Sequence, residues 1–194
     1  MLFTIISIII LVVSIILHEV AHGYMADWLG DPTARLAGRL SLNPVKHIDP
    51  VGSILVPILT SFAGFTFGWA KPVPYNPYNI THNRRRGELL IALAGPATNL
   101  LIALIFGTLI RIGLPYEIFG YIVIINIVLA IFNLIPLPPL DGSKILYFFL
   151  PTQYGRVRGE LERFAPVFIF IVVVFVWKLV QPIVPGLFKL FTGL

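Results

Sequence analysis

The chain has 194 residues, of which 57% are hydrophobic and 12% are charged, and its mean hydropathy is +0.91; this composition excludes an ordinary soluble domain and indicates an integral membrane protein. It contains no cysteine, which excludes disulfides and thiolate ligands, so any metal must bind to nitrogen and oxygen atoms. The net charge of +5 comes from short basic clusters beside apolar runs, a pattern of membrane topology signals that argues against a nucleic-acid surface.

Four apolar runs are long enough to cross a bilayer, which takes about 20 helical residues. They cover residues 2–29, 88–110, 116–135 and 163–181. We therefore predict an all-α polytopic membrane protein, a single domain of residues 1–194 with about four full transmembrane helices. The first run lacks a basic n-region and a cleavage site, so we interpret it as part of the mature chain. The ending, residues 182–194, is predicted to be an interfacial tail.

The motif His18-Glu19-Val20-Ala21-His22 lies toward the C-terminal end of the first apolar run. Spacing of i and i+4 places both imidazoles on one face of a helix, where they can share one Zn²⁺ ion. Glu19 is adjacent to the first ligand and can activate a water molecule without occupying the coordination shell. The alternative is that these polar side chains snorkel at a helix end near the membrane surface.

Two features of the connectors precede the second long run. Alternating Leu36, Leu40 and Leu42 allow short β-strands within residues 33–50, with a surface loop as the alternative; an edge strand there could hold an extended substrate by β-augmentation. The apolar run at residues 51–67 is short and is interrupted by glycine and proline. It either crosses the membrane or is re-entrant.

A catalytic zinc site requires a third protein ligand. Asp141 follows the run Ile135-Pro136-Leu137-Pro138-Pro139-Leu140, whose prolines fix φ and can hold a carboxylate still. Its alternative role is the N-cap of a short helix from Gly142 to Leu150. We interpret the remaining candidates differently. His47 and His82 are predicted to be exposed connector residues, and Glu88 and Glu117 are predicted to lie at helix N-termini.

Three motifs in this order resemble the site-2 protease family of intramembrane zinc metalloproteases. They are His18 to His22, Gly87-Glu88-Leu89 leading into Ala94-Gly95-Pro96-Ala97-Thr98-Asn99, and Asn133-Leu134-Ile135-Pro136-Leu137-Pro138-Pro139-Leu140-Asp141-Gly142. Residues 42–50 and 68–74 look like those of the compact prokaryotic branch that lacks PDZ and CBS domains. Ser143 departs from the family, many of whose members carry a second glycine there.

The resemblance implies one Zn²⁺ ion held by His18, His22 and Asp141, with Glu19 as the general base. It also makes Asn99 and Asn133 candidates for positioning the substrate or stabilising an oxyanion. Sharing one ion requires the ends of the first and third long runs to lie at the same depth. The run at 51–67 must then cross an even number of times, so we predict a re-entrant segment, with six short-to-full crossings as the alternative.

The expected function is hydrolysis of peptide bonds within or near transmembrane segments of membrane-protein substrates, including regulated intramembrane proteolysis. The bilayer is the other expected partner, no nucleic-acid partner is expected, and oligomeric state is not indicated. The resemblance implies a location in a prokaryotic inner membrane, and the basic clusters predict that the active site faces the cytoplasm. The rivals are a non-proteolytic membrane zinc-binding protein, either transporter or sensor, and a structural membrane protein with a vestigial site.

Overall fold

The structure is a computed structural model that describes residues 2–62, 68–81, 83–151, 155–165 and 181–194, with residues 168, 171 and 178. Within these residues every regular element is helical and no strand occurs, as the predicted all-α class requires. The α-helices are α1 Leu2–Trp28, α2 Thr33–Leu36, α3 Val56–Phe62, α4 Arg84–Arg111, α5 Tyr116–Leu134, α6 Gly142–Phe149, α7 Gly155–Arg163 and α8 Ile183–Thr192. Short 3-10 helices cover Pro44–His47 and Pro77–Asn79, and a π-helix covers Pro50–Leu55.

Helices α1, α4 and α5 are long and apolar enough to cross a membrane. They correspond to the first three predicted spans, although α4 begins four residues before the predicted start at 88. The earlier start follows from Asn83, whose side chain accepts a hydrogen bond from the Arg86 amide and caps the helix. The fourth predicted span, residues 163–181, lies almost entirely outside the described residues.

The short strands predicted within residues 33–50 are wrong, since this connector contains no strand. The connector instead contains α2 and the 3-10 helix that begins at Pro44, for which Asn43 supplies the N-cap. The alternating leucines do not share a buried face, since Leu36 is 81% exposed and Leu42 is 64% exposed, whereas Leu40 is half-buried. Without a buried face the period-two pattern has nothing to stabilise it as a strand.

The two ends of the segment 50–69 contact each other. The π-helix and α3 lead away from Gly52, and the Trp69 amide then donates a hydrogen bond to the Gly52 carbonyl at 3.0 Å. The Ser53 hydroxyl also donates to the Trp69 carbonyl, at 2.9 Å. The turn that includes Gly64, residues 63–67, lies outside the described residues, so the re-entrant path stays a prediction.

Helices α1 and α5 run in the same direction, and α4 runs between them in the opposite one. The rings of Phe3 and Tyr121, near the starts of α1 and α5, lie 6.2 Å apart. His22, late in α1, contacts Ile91, early in α4, whereas Ser14, earlier in α1, lies beside Asn99, later in α4. This arrangement brings the end of α1, the start of α4 and the end of α5 to one depth, as the shared-ion prediction requires.

The chain end packs against this bundle as α8. The buried side chain of Val184 joins an apolar cluster with α4 and α5, formed by Ala103, Ile110, Val123 and Ile127. The ending is therefore a helix packed against the bundle, and its interfacial position stays a prediction. The cluster lies at the end of α4 opposite to His22.

A buried carboxylate joins the two connectors that cover the end of α1. Asp31 is fully buried and accepts hydrogen bonds from the Thr33 amide at 3.1 Å, the Asn76 amide at 2.6 Å and Asn79 Nδ2 at 2.8 Å. The Thr33 hydroxyl is a fourth donor, at 2.5 Å, so both carboxylate oxygens are engaged and this anchor fixes residues 68–81 against α1.

Candidate metal centre

Three side chains from distant parts of the sequence meet at the α1–α4–α5 junction. His18 and His22 share one face of α1, and Asp141 lies between α5 and α6. One ligand atom from each lies within 4.8 Å of the others. The structure therefore brings together all three residues predicted to bind the metal.

The three ligand atoms form a nearly equilateral triangle. His18 Nε2 and His22 Nε2 are 3.0 Å apart. Asp141 Oδ2 lies 3.1 Å from the first and 3.2 Å from the second. Two atoms bound about 2.05 Å from a tetrahedral zinc ion are about 3.3 Å apart, so the observed separations fit a shared ion.

The other nitrogen of each imidazole is engaged by an oxygen acceptor. His18 Nδ1 donates to Asn99 Oδ1 at 2.6 Å, and His22 Nδ1 donates to the Ile91 carbonyl at 2.6 Å. With the proton on Nδ1, each neutral ring presents an unprotonated Nε2 with its lone pair toward the triangle. Such outer hydrogen bonds commonly fix the tautomer of metal-binding histidines.

A chain of hydrogen bonds fixes the orientation of Asn99. Asn126 Nδ2 donates to the Ile122 carbonyl and to Ser14 Oγ, each at 2.9 Å. Asn126 Oδ1 therefore faces Asn99 and accepts from Asn99 Nδ2 at 2.8 Å. This leaves Asn99 Oδ1 to accept from His18, so a backbone carbonyl of α5 ultimately selects the tautomer of a histidine in α1.

The donor set requires a cation. Two imidazole lone pairs and a carboxylate oxygen at about 3 Å repel one another, and either a metal ion or a bound proton must compensate this repulsion. Gly95 supplies the space, because a Cβ atom there would lie 2.5 Å from both His18 Nε2 and His22 Nε2. The donor types, their spacing and this side-chain-free surface of α4 fit a zinc ion.

Asp141 faces the histidines and does not cap α6. That helix begins at Gly142 as predicted, but Asp141 makes no side-chain capping hydrogen bond. Gly142 lets the turn approach the preceding backbone, since a Cβ there would lie 2.3 Å from the Leu134 and Ile135 carbonyl oxygens.

Glu19 lies beside the triangle, held by the backbone of a distant connector. Its Oε2 accepts a hydrogen bond from the Val73 amide at 2.8 Å. Pro72 and Pro74 flank Val73 and have no N–H, so this amide is the one donor in the three residues. Among the described residues nothing donates to Glu19 Oε1, which leaves this oxygen available to a water molecule.

The site is most open on the side of Asp141. The side chain of Asp141 is 22% exposed, compared with 7% for His18 and 11% for His22. The histidines are thus enclosed by the three helices, and approach from outside is past the carboxylate.

Asn133, predicted to act on the substrate, is not joined to the triangle by any described contact. Its Nδ2 donates to the Leu129 carbonyl one turn earlier, at 3.0 Å, and its side chain is half-buried. Asn99 is fully buried and both ends of its amide are engaged. The geometry thus favours a supporting role behind His18 for Asn99 over the predicted contact with substrate.

Three of the remaining ligand candidates are described, and none of them belongs to the triangle. His47 is buried, not exposed, and its Nε2 contacts the Ser41 carbonyl at 2.7 Å. Glu88 is a buried residue of the second turn of α4, ion-paired with Arg84 and Arg158. Glu117 is in the first turn of α5, as predicted. His82 lies outside the described residues.

Sequence reasoning assigned no role to Ser14, Asn126 or the Val73 amide. Two signals were present: Ser14 precedes His18 by four residues on the same helical face, and an asparagine inside an apolar span is costly unless it has a partner. The Val73 amide carries no side-chain signal, because a backbone donor is the same at every residue except proline.

The sequence model of peptidase family M50 matches residues 107–179. The matched range includes Asn133 and Asp141 but not the motif at residues 18–22. No solved structure gives a significant match to this chain.

Several relatives are themselves named as zinc metalloproteases. YwhC of Bacillus subtilis, named as an inferred zinc metalloprotease, is 38% identical over 185 residues, covering 89% of this chain and 80% of that protein. Rip2 of Mycobacterium tuberculosis strain H37Rv, named in the same way, is 27% identical over 165 residues, covering 82% of this chain and 62% of that protein. Zinc metalloprotease MJ0392 of Methanocaldococcus jannaschii is 26% identical over 156 residues, covering 78% of this chain and 36% of that protein.

Proposed function

Since the chain belongs to peptidase family M50, we propose that this zinc metalloprotease hydrolyses peptide bonds within or near the transmembrane segments of other membrane proteins. The observation that carries the proposal is the convergence of His18 Nε2, His22 Nε2 and Asp141 Oδ2 at separations of 3.0 to 3.2 Å. Two imidazole nitrogens and one carboxylate oxygen are the donor set of a catalytic zinc site that keeps one position open.

One Zn²⁺ ion would be held by these three residues, and when bound it supplies Lewis acidity and lowers the pKa of a coordinated water. Glu19 is the general base of the proposed reaction. Its free oxygen takes a proton from the water that attacks the scissile carbonyl and passes it to the leaving amide nitrogen. The Val73 amide donates to the other oxygen of Glu19 and keeps the carboxylate in the same orientation during both proton transfers.

The depth of the site supports a substrate inside the membrane. His18 lies ten residues before Trp28, the last residue of α1, which corresponds to about 15 Å along a helix. A site this far from the helix end lies below the membrane surface and faces bonds that a soluble protease does not reach. A substrate helix must unwind there, because a helical peptide bond is hidden by its own hydrogen bonds.

Asn133 remains our candidate for contact with the substrate. It precedes the connector that ends at Asp141, and its Nδ2 is engaged by the backbone, which leaves Oδ1 as an acceptor for a substrate N–H. Transmembrane proteins are the proposed substrates and the bilayer the surrounding partner, with no nucleic acid involved. A role in regulated intramembrane proteolysis is part of this proposal.

The Glu19→Gln variant tests the reaction, with Glu117→Gln as the matched control at the far end of α5. We expect one zinc ion per chain in the parent and in both variants. Cleavage of a purified transmembrane substrate in detergent should fall by about 10²- to 10⁴-fold for Glu19→Gln and stay at the parental rate for Glu117→Gln. Parental cleavage by Glu19→Gln would remove Glu19 as the base. Zinc without cleavage in the parent, for any transmembrane substrate tried, would favour the transporter or sensor.

We propose a prokaryotic inner-membrane location, and the basic residues at the start of α4 support a cytoplasmic position for this end of the bundle. Arg84, Arg85 and Arg86 lie at the same end of the bundle as His22. Because the chain has no cysteine, single cysteines report sidedness directly. In intact spheroplasts an impermeant maleimide should label the Ile112→Cys variant and leave Arg86→Cys unlabelled until the membrane is permeabilised. The reverse pattern would invert the proposed orientation.

A further inference from the structure

A second concave site lies where α4 begins. It is a cavity of about 260 Å³ between the first turns of α4, helix α6 and helix α7. Four of its lining residues are cationic and one is anionic: Arg84, Arg85, Lys144, Arg158 and Glu88. A cavity of this size accommodates a small polar headgroup, and its wall carries an excess of positive charge.

The positive charge is only partly compensated. Glu88 is shared between Arg84 and Arg158, at 2.9 and 3.1 Å. Glu162 pairs with Lys144 at 3.1 Å and with Arg158 at 3.0 Å. Two carboxylates thus pair with three cations, and Arg85 is a fourth cation at the same cavity.

Arg85 has no carboxylate within ion-pair distance in the described part of the chain. Its Nη2 instead donates to the carbonyls of Tyr147, at 3.2 Å, and Leu150. These two bonds hold the guanidinium at the cavity wall without neutralising it. A preorganised, uncompensated guanidinium is a favourable partner for a phosphate group.

The cavity lies at the level of the lipid headgroups. Arg84 is the first residue of α4, a helix of membrane-spanning length, so its start marks the membrane surface. Beside the cations, Phe148, Leu150 and Pro151 also line the cavity. Phe149, next to them, is 74% exposed and offers apolar surface to an acyl chain.

We propose that this cavity binds the phosphate group of an anionic phospholipid. The cations of α4, α6 and α7 contact the phosphate oxygens, and the acyl chains extend along the apolar residues toward the bilayer. A lipid with a quaternary ammonium group binds less well, because its positive end faces the same cations. Basic pockets between helices at the membrane surface are recognised sites for anionic headgroups.

The test uses the delipidated full chain in a neutral detergent and native mass spectrometry. Dioctanoyl phosphatidylglycerol is titrated against dioctanoyl phosphatidylcholine, and inorganic phosphate is added in a separate arm. Arg85→Gln removes a lining charge, and Arg86→Gln removes the neighbouring charge, which does not line the cavity. Lys144→Gln is the second lining variant, and zinc content verifies that each variant is folded.

We expect phosphatidylglycerol to bind one per chain, at least tenfold more tightly than phosphatidylcholine. Arg85→Gln and Lys144→Gln should each weaken that binding about tenfold, equivalent to about 1.4 kcal/mol, while Arg86→Gln changes it less than twofold. Equal affinity for the two lipids, or equal losses in Arg85→Gln and Arg86→Gln, would overturn the proposal. Inorganic phosphate that binds as tightly as phosphatidylglycerol would assign the cavity to a soluble anion instead.

Discussion

The two parts of α4, residues 84–99 and 100–111 and called its halves below, pack against their neighbours by different chemistry. The first half contacts α1 and α5 through buried polar side chains, with Asn99 joining His18 to Asn126. The second half contacts α5 and α8 through apolar side chains, with Ala103, Ile110 and Val184 in one cluster. Directional hydrogen bonds fix the orientation of a ring, whereas apolar packing fixes only how closely two surfaces approach.

This difference matches the work of each half. Metal binding depends on where a lone pair points. The half of α4 that contacts the histidines of α1 therefore has to fix the tautomer and the orientation of their rings. The other half only has to keep three helices together, and small residues that allow close approach are sufficient for this inside a bilayer. Gly95 lies in the first half of α4 and Gly107 in the second, so substitutions of these two glycines compare the two halves.

The largest effect is expected from Gly95→Ala. Its Cβ would lie 2.5 Å from both His18 Nε2 and His22 Nε2, and both rings are held at Nδ1 and cannot retreat without breaking those bonds. We expect the purified variant to lose its zinc, measured as metal per chain by mass spectrometry, while its helical circular dichroism persists. A full zinc complement in Gly95→Ala would show that the metal lies elsewhere.

The matched control is Gly107→Ala, in the apolar half of the same helix. Its Cβ would lie 2.8 Å from Phe191 Cβ and 2.9 Å from the Phe191 carbonyl. Overpacking of this kind costs typically 1–3 kcal/mol, so we expect a lower thermal midpoint with zinc content unchanged. Loss of zinc from both glycine variants would erase the distinction between the two halves.

A smaller effect is expected from Asn99→Ala. His18 loses the acceptor that keeps its proton on Nδ1, and loss of such a partner typically lowers metal affinity by 10- to 100-fold. Competition with a chelator of known affinity measures this change. The control is Asn133→Ala, whose amide contacts only the Leu129 carbonyl among the described contacts.

Asn133→Ala should keep the parental zinc affinity and lower kcat/KM, because its proposed contact is with the substrate. Comparable losses of zinc affinity in both asparagine variants would mean that the bond to His18 has no special effect. Unchanged cleavage by Asn133→Ala would remove that residue from the substrate site.

Much of this architecture was predictable from local pattern. Hydropathy located α1, α4 and α5, and the i, i+4 spacing of His18 and His22 placed both on one helical face. The directions of the three helices followed from requiring His22 and Asp141 to share an ion. Each of these inferences uses either the order of residues along the chain or a single long-range assumption.

The errors share one cause. The leucines at 36 and 42 alternate as strand residues do, yet they have no core to face. His47 is predicted to be an exposed connector residue and Glu88 a helix N-terminal residue, yet other elements cover both. Whether a side chain is buried depends on what packs over it, and for Glu88 that includes Arg158, 70 residues away. No periodicity within one segment contains this information.

The sequence by itself determined that this is a helical membrane protein with a histidine pair for a metal, because hydropathy and helical spacing are local properties. Only the tertiary structure decided which atoms surround that pair. Asn99 fixes the proton on His18, the Val73 amide holds Glu19, and Gly95 leaves room for an ion because three helices and a connector meet there. Those contacts depend on distances between residues tens of positions apart, which are settled when the helices pack.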